Sequence, residues 1–309
     1  MVDDVVYVLG GGGRLGAAEV GMLSALADAG IRPDRVIGTS IGAINGAAAA
    51  LDPTPEGIAT LRAMWEGLDR AGVFGGRVID RVRHVARTRT SLHSNDALAA
   101  MLAEVLPERF EDLAVPFECV AACVETAHER WFDRGALVPA VLASSAVPGL
   151  LPAVEVEGLH YLDGGIVDSI PIRRALDHGA GTVHVLQVGR IEEPLRAPRW
   201  PHEVAVVAFE IARRRSFSAA MASVAQDVEV HVLPTGGQGP RAGDLRQLRY
   251  RDFSDVSARI DTAHRATAAY LRLHSLGTAP AAGPGGVERG GGPRVEPAGD
   301  DAGEGPGWS

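Results

Sequence analysis

The chain contains no lysine; all 30 of its basic residues are arginine. This reads as codon bias rather than function, but it excludes the phosphate-binding loop whose lysine reaches the phosphates of a nucleotide. Cysteine is nearly absent. Cys119 and Cys123 lie in the apolar stretch 117–124, which predicts a strand, and residues four apart in a strand share a face. Two such residues make neither a disulfide framework nor a four-ligand zinc site, so buried, reduced thiols are expected and no metal is assigned. Aromatic residues are only 5 % of the chain, whereas alanine and glycine are plentiful. That balance suits helices packed closely on a sheet better than an aromatic-rich sandwich. No run of ~18 apolar residues exists to form a spanning helix. The start, Met-Val-Asp-Asp, has no basic segment followed by an apolar one, so no secretory leader is expected. A cytoplasmic protein is the default expectation, with peripheral membrane contact left open. The net charge of −9 gives no basic footprint for nucleic acid.

The 309 residues are 46 % hydrophobic, enough for one sizeable core. Residues 5–9 form an apolar run bounded by Asp and Gly, the pattern of a strand buried in a parallel sheet. Residues 16–29 carry a helical stripe through Val20, Leu23 and Ala27 and end at Gly30. A second strand at 35–38 and an Ala-rich helix at 41–51 complete a strand–helix–strand–helix series, which predicts a parallel α/β sheet. Residues 53–111 read as helices with loops. Further strands are predicted at 116–125, 154–161, 183–188 and 228–233, and further helices at 203–225 and 253–274. From residue 277 to 309 Gly and Pro dominate and little is left to bury. The expected organisation is therefore one domain over 1–276 and a disordered tail over 277–309.

Gly38-Thr39-Ser40-Ile41-Gly42 is a G-x-S-x-G between a strand and a helix. A serine on that turn is pushed out of the sheet, and the helix after it aims its N-terminal dipole at developing negative charge. Gly11 to Gly16, GGGRLG, also fits G-x-G-x-x-G after a strand. A dinucleotide fold would need an acidic residue at the end of the second strand; Asp34 lies at that strand's other end. The other use of such a loop is an oxyanion hole, with the amides of Gly11, Gly12 and Gly13 facing an ester carbonyl. The serine needs a base. None of the ten histidines sits in a local signature, although His178 and His184 come late in the chain. Asp163, in Tyr-Leu-Asp-Gly-Gly after a strand, is the better candidate, and a plain Asp-Gly hairpin turn is the alternative.

With these motifs in order, GGGRLG, GTSIG and DGG (Asp163, Gly164, Gly165), the chain resembles the patatin-like phospholipases from about Val5 to about Leu273. The segments ASSAVPGLLP (143–152) and IVDSIP (166–171) are similar to that family too. The resemblance implies a three-layer α/β/α sandwich with a mostly parallel central sheet. It implies a Ser–Asp dyad without histidine, Ser40 as nucleophile and Asp163 as base. Gly11, Gly12 and Gly13 fall on the oxyanion loop, with Arg14, Gly16, Gly38, Gly42, Gly164 and Gly165 supporting the motifs. The implied reaction is hydrolysis of a lipid ester through an acyl-enzyme, without metal or cofactor.

In one respect the chain departs from the family, which carries a basic residue where Leu15 stands; here the arginine is Arg14, one position earlier. Leu15 is the sole sequence support for a catalytically silent lipid-binding protein of the same fold. A Rossmann-type dinucleotide enzyme is the weaker alternative. Arg213, Arg214 and Arg215 form a basic cluster on a predicted helix that could meet an anionic lipid surface transiently, or be a solvated face. Trp65 and Phe74 could line an acyl pocket, with core packing the default. The head group, the acyl length and the oligomeric state are not readable from the sequence.

Overall fold

The strand–helix alternation builds one eight-stranded mixed sheet in the computed structural model, which describes residues 4–71, 94–188, 194–195, 197–198, 201–237 and 255–277. Phe74 and the predicted tail beyond 277 lie outside the described residues. The strands are β1 (Val5–Leu9), β2 (Arg35–Thr39), β3 (Phe117–Cys123), β4 (Glu129–Phe132), β5 (Val154–Val156), β6 (Leu159–Asp163), β7 (Thr182–Leu186) and β8 (Glu229–Val232). Their order is β5-β6-β3-β2-β1-β7-β8, with β4 also paired to β3. The four pairs among β3, β2, β1, β7 and β8 are parallel. Those that β3 makes with β4 and β6, and β6 with β5, are antiparallel.

The helices are α1 (Ala17–Asp28), α2 (Ile41–Leu51), α3 (Pro55–Ala71), α4 (Asp96–Val105), α5 (Leu137–Ser144), α6 (Ile172–Asp177), α7 (Pro201–Ala222) and α8 (Val256–Leu273). They lie on both faces of the sheet, and β1 shows why. Its Tyr7 and Leu9 join the main core with Val20, Leu23 and Leu26 of α1, Ala43 and Ala47 of α2, and Ile260 of α8. Its Val6 and Val8 join a second core with Ile172 and Ala175 of α6 and Ala220 of α7. A strand covered on both sides must be apolar at every position, which is the VVYVL run of the sequence. Each Val or Leu fully buried in this way contributes about 1.5–3 kcal/mol. α1 and α8 approach closely: a Cβ on Gly21 would stand 2.2 Å from the carbonyl oxygen of Ile260.

Three strands crowd β3, and their registers decide where the site forms. Val120 pairs with Thr39 of β2 and with Trp131 of β4. The next residue, Ala121, pairs with Arg130 of β4 and with Asp163 of β6. β4 therefore runs along one edge of β3, while β2 and β6 lie end to end along the other. β2 is parallel to β3 and β6 antiparallel, so their C-terminal ends meet at the Val120–Ala121 step.

The predicted strand at 154–161 is instead a hairpin of β5 and β6. Its turn, Glu157-Gly158, has φ of 53° and 80°, the two positive values that a two-residue hairpin of right-handed strands requires. β4 escaped sequence reading because Glu-Arg-Trp-Phe is half charged, and it is exposed at its first two residues. α5 escaped it because Pro139 interrupts the run. Pro139 stands in the first helical turn, where a missing N–H leaves no bond unmade.

Candidate active site

β1 and β2 are parallel with Leu9 opposite Gly38, so both release their chains at the same sheet edge. The turn after β2 closes only because Gly38 and Gly42 carry no side chains. A Cβ on Gly38 would stand 2.4 Å from the carbonyl oxygen of Gly42, and one on Gly42 would stand 2.4 Å from that of Leu9. Between them Ser40 takes φ 57° and ψ −123° at the N-cap of α2. A non-glycine residue held there stores strain of order 1–3 kcal/mol, so its surroundings must hold it. Two hydroxyls do so. The Ser40 N–H donates to Ser144 Oγ at 3.1 Å, and Ser145 Oγ donates to the Ser40 carbonyl at 3.0 Å.

Asp163 ends β6 and meets Ser40 at the junction on β3. Ser40 Oγ donates to Asp163 Oδ2 at 2.6 Å, while the Gly165 N–H donates to Asp163 Oδ1 at 2.8 Å. The Asp163 N–H is fixed to the carbonyl of Ala146 at 3.0 Å. Ser40 and Asp163 are 7 % and 6 % exposed. Burial pushes the Asp163 carboxyl up to about 6, against the opposing pull of the hydrogen bonds from Ser40 and Gly165. Asp163-Gly164 is therefore not a hairpin turn; it opens a 3-10 turn, Gly164–Ile166, capped by the carboxylate itself.

The glycine loop lies against Ser40: a Cβ on Gly11 would come within 3.5 Å of the Ser40 Cβ. The Gly11 amide is engaged, donating to the Ser169 carbonyl at 2.9 Å. Gly12 and Gly13 lead into the 3-10 turn Gly13–Gly16, and no other described residue takes up their amides. Gly16 packs on α2, where a Cβ would meet Ile41 Cγ1 at 2.4 Å. Asn45 of α2 donates from Nδ2 to the Gly16 carbonyl at 3.0 Å and to Glu19 Oε2 at 2.8 Å, and Trp65 Nε1 donates to Asn45 Oδ1 at 2.8 Å. This buried network ties the loop to the helix that carries Ser40. Burial raises the Glu19 carboxyl well above its ordinary value, against the opposing pull of the hydrogen bond from Asn45. Trp65 is thus a core residue and not an acyl-pocket wall. The sequence reading missed Ser144, Ser145, Asn45 and Ser169. ASSAVP and IVDSIP stood out as segments, but nothing local shows which backbone a small hydroxyl will reach.

The three histidines near the candidate motifs bind elsewhere. His160 pairs with Glu125, His178 with Glu118, and His184 stacks on His231 and edges Tyr7. Burial, with His231 alongside, lowers His184 to about 4. Asp34 Oδ2 accepts the Val5 N–H at 2.8 Å, at the sheet edge opposite Ser40, so the ribose carboxylate of a dinucleotide fold is not there. Among the described residues no group of three His, Cys, Asp or Glu could hold a metal ion. Cys119 and Cys123 are free and buried. Leu15 is 5 % exposed in the main core, a place suited to an apolar side chain. Arg213 is buried with its Nε and Nη2 on Glu210, Arg214 reaches the same carboxylate at 3.6 Å, and Arg215 is exposed. The triplet is not an open basic patch. No helix among the described residues is long and apolar enough to cross a membrane.

The model of the patatin-like phospholipase family matches residues 7–176, more than half of the chain and all three motifs. A lysophospholipase, nte1, of Aspergillus terreus is 31 % identical over 61 % of this chain and 12 % of its own length. An NTE family protein of Mycobacterium bovis is 30 % identical over 54 % of this chain and 44 % of its own. The chain thus aligns with less than half of either relative. Among solved structures, VipD of Legionella pneumophila aligns over 88 % of this chain and 67 % of its own at 16 % identity, with a TM-score of 0.42. On the family match, the chain belongs to the patatin-like phospholipases.

Proposed function

We propose that the chain is a lipid acyl hydrolase of the phospholipase A, lysophospholipase or esterase type, acting on carboxylic esters through Ser40 and Asp163. The observation that carries this reading is the 2.6 Å hydrogen bond from Ser40 Oγ to Asp163 Oδ2 on a strained, glycine-framed turn. The lysophospholipase and phospholipase names of relatives support the substrate class.

In the first step Ser40 Oγ attacks the ester carbonyl carbon while its proton passes to Asp163. An ordinary aspartate, with a reference value near ~3.9, is a weak base for this. Burial brings Asp163 closer to the range a general base needs, and the pre-formed hydrogen bond removes the search for geometry. The negative charge that develops on the carbonyl oxygen is met by amides of the glycine loop and by the N-terminus of α2. Because the Gly11 amide already serves Ser169, the donors in this reading narrow to Gly12 and Gly13. Collapse expels the alcohol, which takes the proton from Asp163, and leaves an acyl ester on Ser40. Water then gives its proton to Asp163, attacks the acyl carbon and releases the fatty acid as Ser40 recovers its proton. Ile166, three residues after Asp163, is 47 % exposed and gives the rim an apolar point for transient contact with a lipid surface.

The test uses a fluorophosphonate probe and a lipid ester panel. Wild-type protein labels on Ser40 and turns over; Ser40→Ala does neither, and Asp163→Asn loses nearly as much turnover because residues acting as one unit fail together. Labelling that persists in Ser40→Ala would overturn the assignment.

A further inference from the structure

A strained serine is useful only while its peptide groups are held. Around Ser40 both are held by one tripeptide. Ser144 Oγ accepts the Ser40 N–H, Ser145 Oγ donates to the Ser40 carbonyl, and the next residue, Ala146, accepts the Asp163 N–H. Ser144 closes α5 and Ser145 caps it, and both are buried. The same stretch of backbone therefore sets the positions of both members of the pair.

The two hydroxyls are not equivalent. The Ser40 carbonyl has two further donors, the amides of Ala43 at 2.9 Å and Ile44 at 3.3 Å, as the first acceptor of α2. Ser144 Oγ is the acceptor of the buried Ser40 N–H. Removing it leaves a donor unsatisfied beside the strained torsion, and the peptide is then free to relax toward an ordinary conformation. Such relaxation would swing Ser40 Oγ away from Asp163 Oδ2. It would also expose a further amide to the site, one that Ser144 at present keeps from competing with the glycine loop.

We propose that Ser144 and Ser145 are positioning residues that clamp the peptide groups on either side of Ser40 and so fix its hydroxyl against Asp163, with Ser144 the more important of the two. This rests on the Ser40–Asp163 reading above.

The experiment compares Ser144→Ala and Ser145→Ala with wild type in the full chain, using a p-nitrophenyl acyl ester and counting competent sites by end-point fluorophosphonate labelling. Per labelled site, Ser144→Ala should lose about 10- to 100-fold in kcat with KM little changed, the size of effect that an ångström of misplacement produces. Ser145→Ala should lose less. Loosening the Ser40 hydrogen bond also withdraws one influence that holds the Asp163 carboxyl down. The acidic limb of the rate should therefore move up by about one pH unit, the weight of one hydrogen bond to a charged group. A merely structural serine would lower the number of labelled sites and leave that limb in place. If Ser144→Ala does not fold, Ser144→Cys, whose sulfur accepts only weakly, takes its place with the same readouts. The clamp is overturned if kcat per labelled site stays at the wild-type value, or if it falls with the acidic limb unmoved. Failure of the underlying reading looks different: Ser40→Ala would then keep its turnover.

Discussion

Thr39 and Asp163 face consecutive residues of one strand, Val120 and Ala121, from opposite directions along the same edge. The residue after each must turn out of the sheet at once. Ser40 does so with strain; Gly164 does so without a side chain, and it has no room for one. A Cβ there would stand 2.1 Å from the Val120 carbonyl oxygen, which belongs to a strand hydrogen-bonded on both edges and cannot move aside. Gly164→Ala should therefore cut turnover per folded molecule by at least about 100-fold, by displacing Asp163. Gly158→Ala is the control. It sits in the β5–β6 turn at φ 80° in open space, so it should cost about 1 kcal/mol of stability and leave turnover intact. Equal activity of the two variants in an ester assay would refute the junction argument.

In the proposed reading Asp163 is the base, and a base must be ionised to act. With Asp163 at about 6, kcat/KM should rise with pH through about 6 and level off above it. A profile still at its plateau at pH 4.5 would mean that the group accepting the Ser40 proton is not this buried carboxylate.

Histidine should be dispensable. His160, His178 and His184 are each engaged by partners other than Ser40. Single changes to Gln should cost less than roughly tenfold in kcat per folded molecule, where loss of a general base costs 10²–10⁴-fold. Abolition of turnover by any one of them in a folded protein, with Asp163→Asn still active, would replace the dyad by a histidine triad.

Much of this architecture was written in local pattern. VVYVL reads as a doubly covered strand because every residue is apolar, and GTSIG reads as a tight turn because its glycines flank a serine that opens a helix. The hairpin turn at Glu157-Gly158 was not legible, since a non-glycine residue takes one of its two positive torsions there. β4 and α5 were hidden for the opposite reason, being short and carrying charge or proline where an element is expected to be uniform. The support of the site was hidden more deeply. Ser144 and Ser145 reach Ser40 across more than a hundred residues of chain, and whether a small hydroxyl faces a backbone amide depends on tertiary packing alone. The engagement of the Gly11 amide by Ser169 has the same origin, a contact between segments that no spacing rule connects.

An ionised carboxylate in a buried site should cost the fold stability, and Asp163→Asn measures that cost. The carboxyl is raised from 3.8 to about 6, so the folded state holds the proton more tightly than the unfolded chain does. A group raised in this way stabilises fully only below its unfolded value, and that contribution is lost as pH rises through about 6. At pH 8 both states are ionised, and the folded state bears the burial of the charge. Two units correspond to about 3 kcal/mol, an upper figure because Asn loses part of the hydrogen bonding that Ser40 and Gly165 give the carboxylate. Asp163→Asn should therefore be more stable than wild type at pH 8, by roughly 1–3 kcal/mol, while losing turnover. The advantage should shrink as pH falls through 6 and vanish near pH 4, as read from urea unfolding midpoints across that range. A variant less stable than wild type at pH 8 and relatively more stable at pH 4 would reverse the sign, and would mean that the site favours the charged carboxylate over the neutral one.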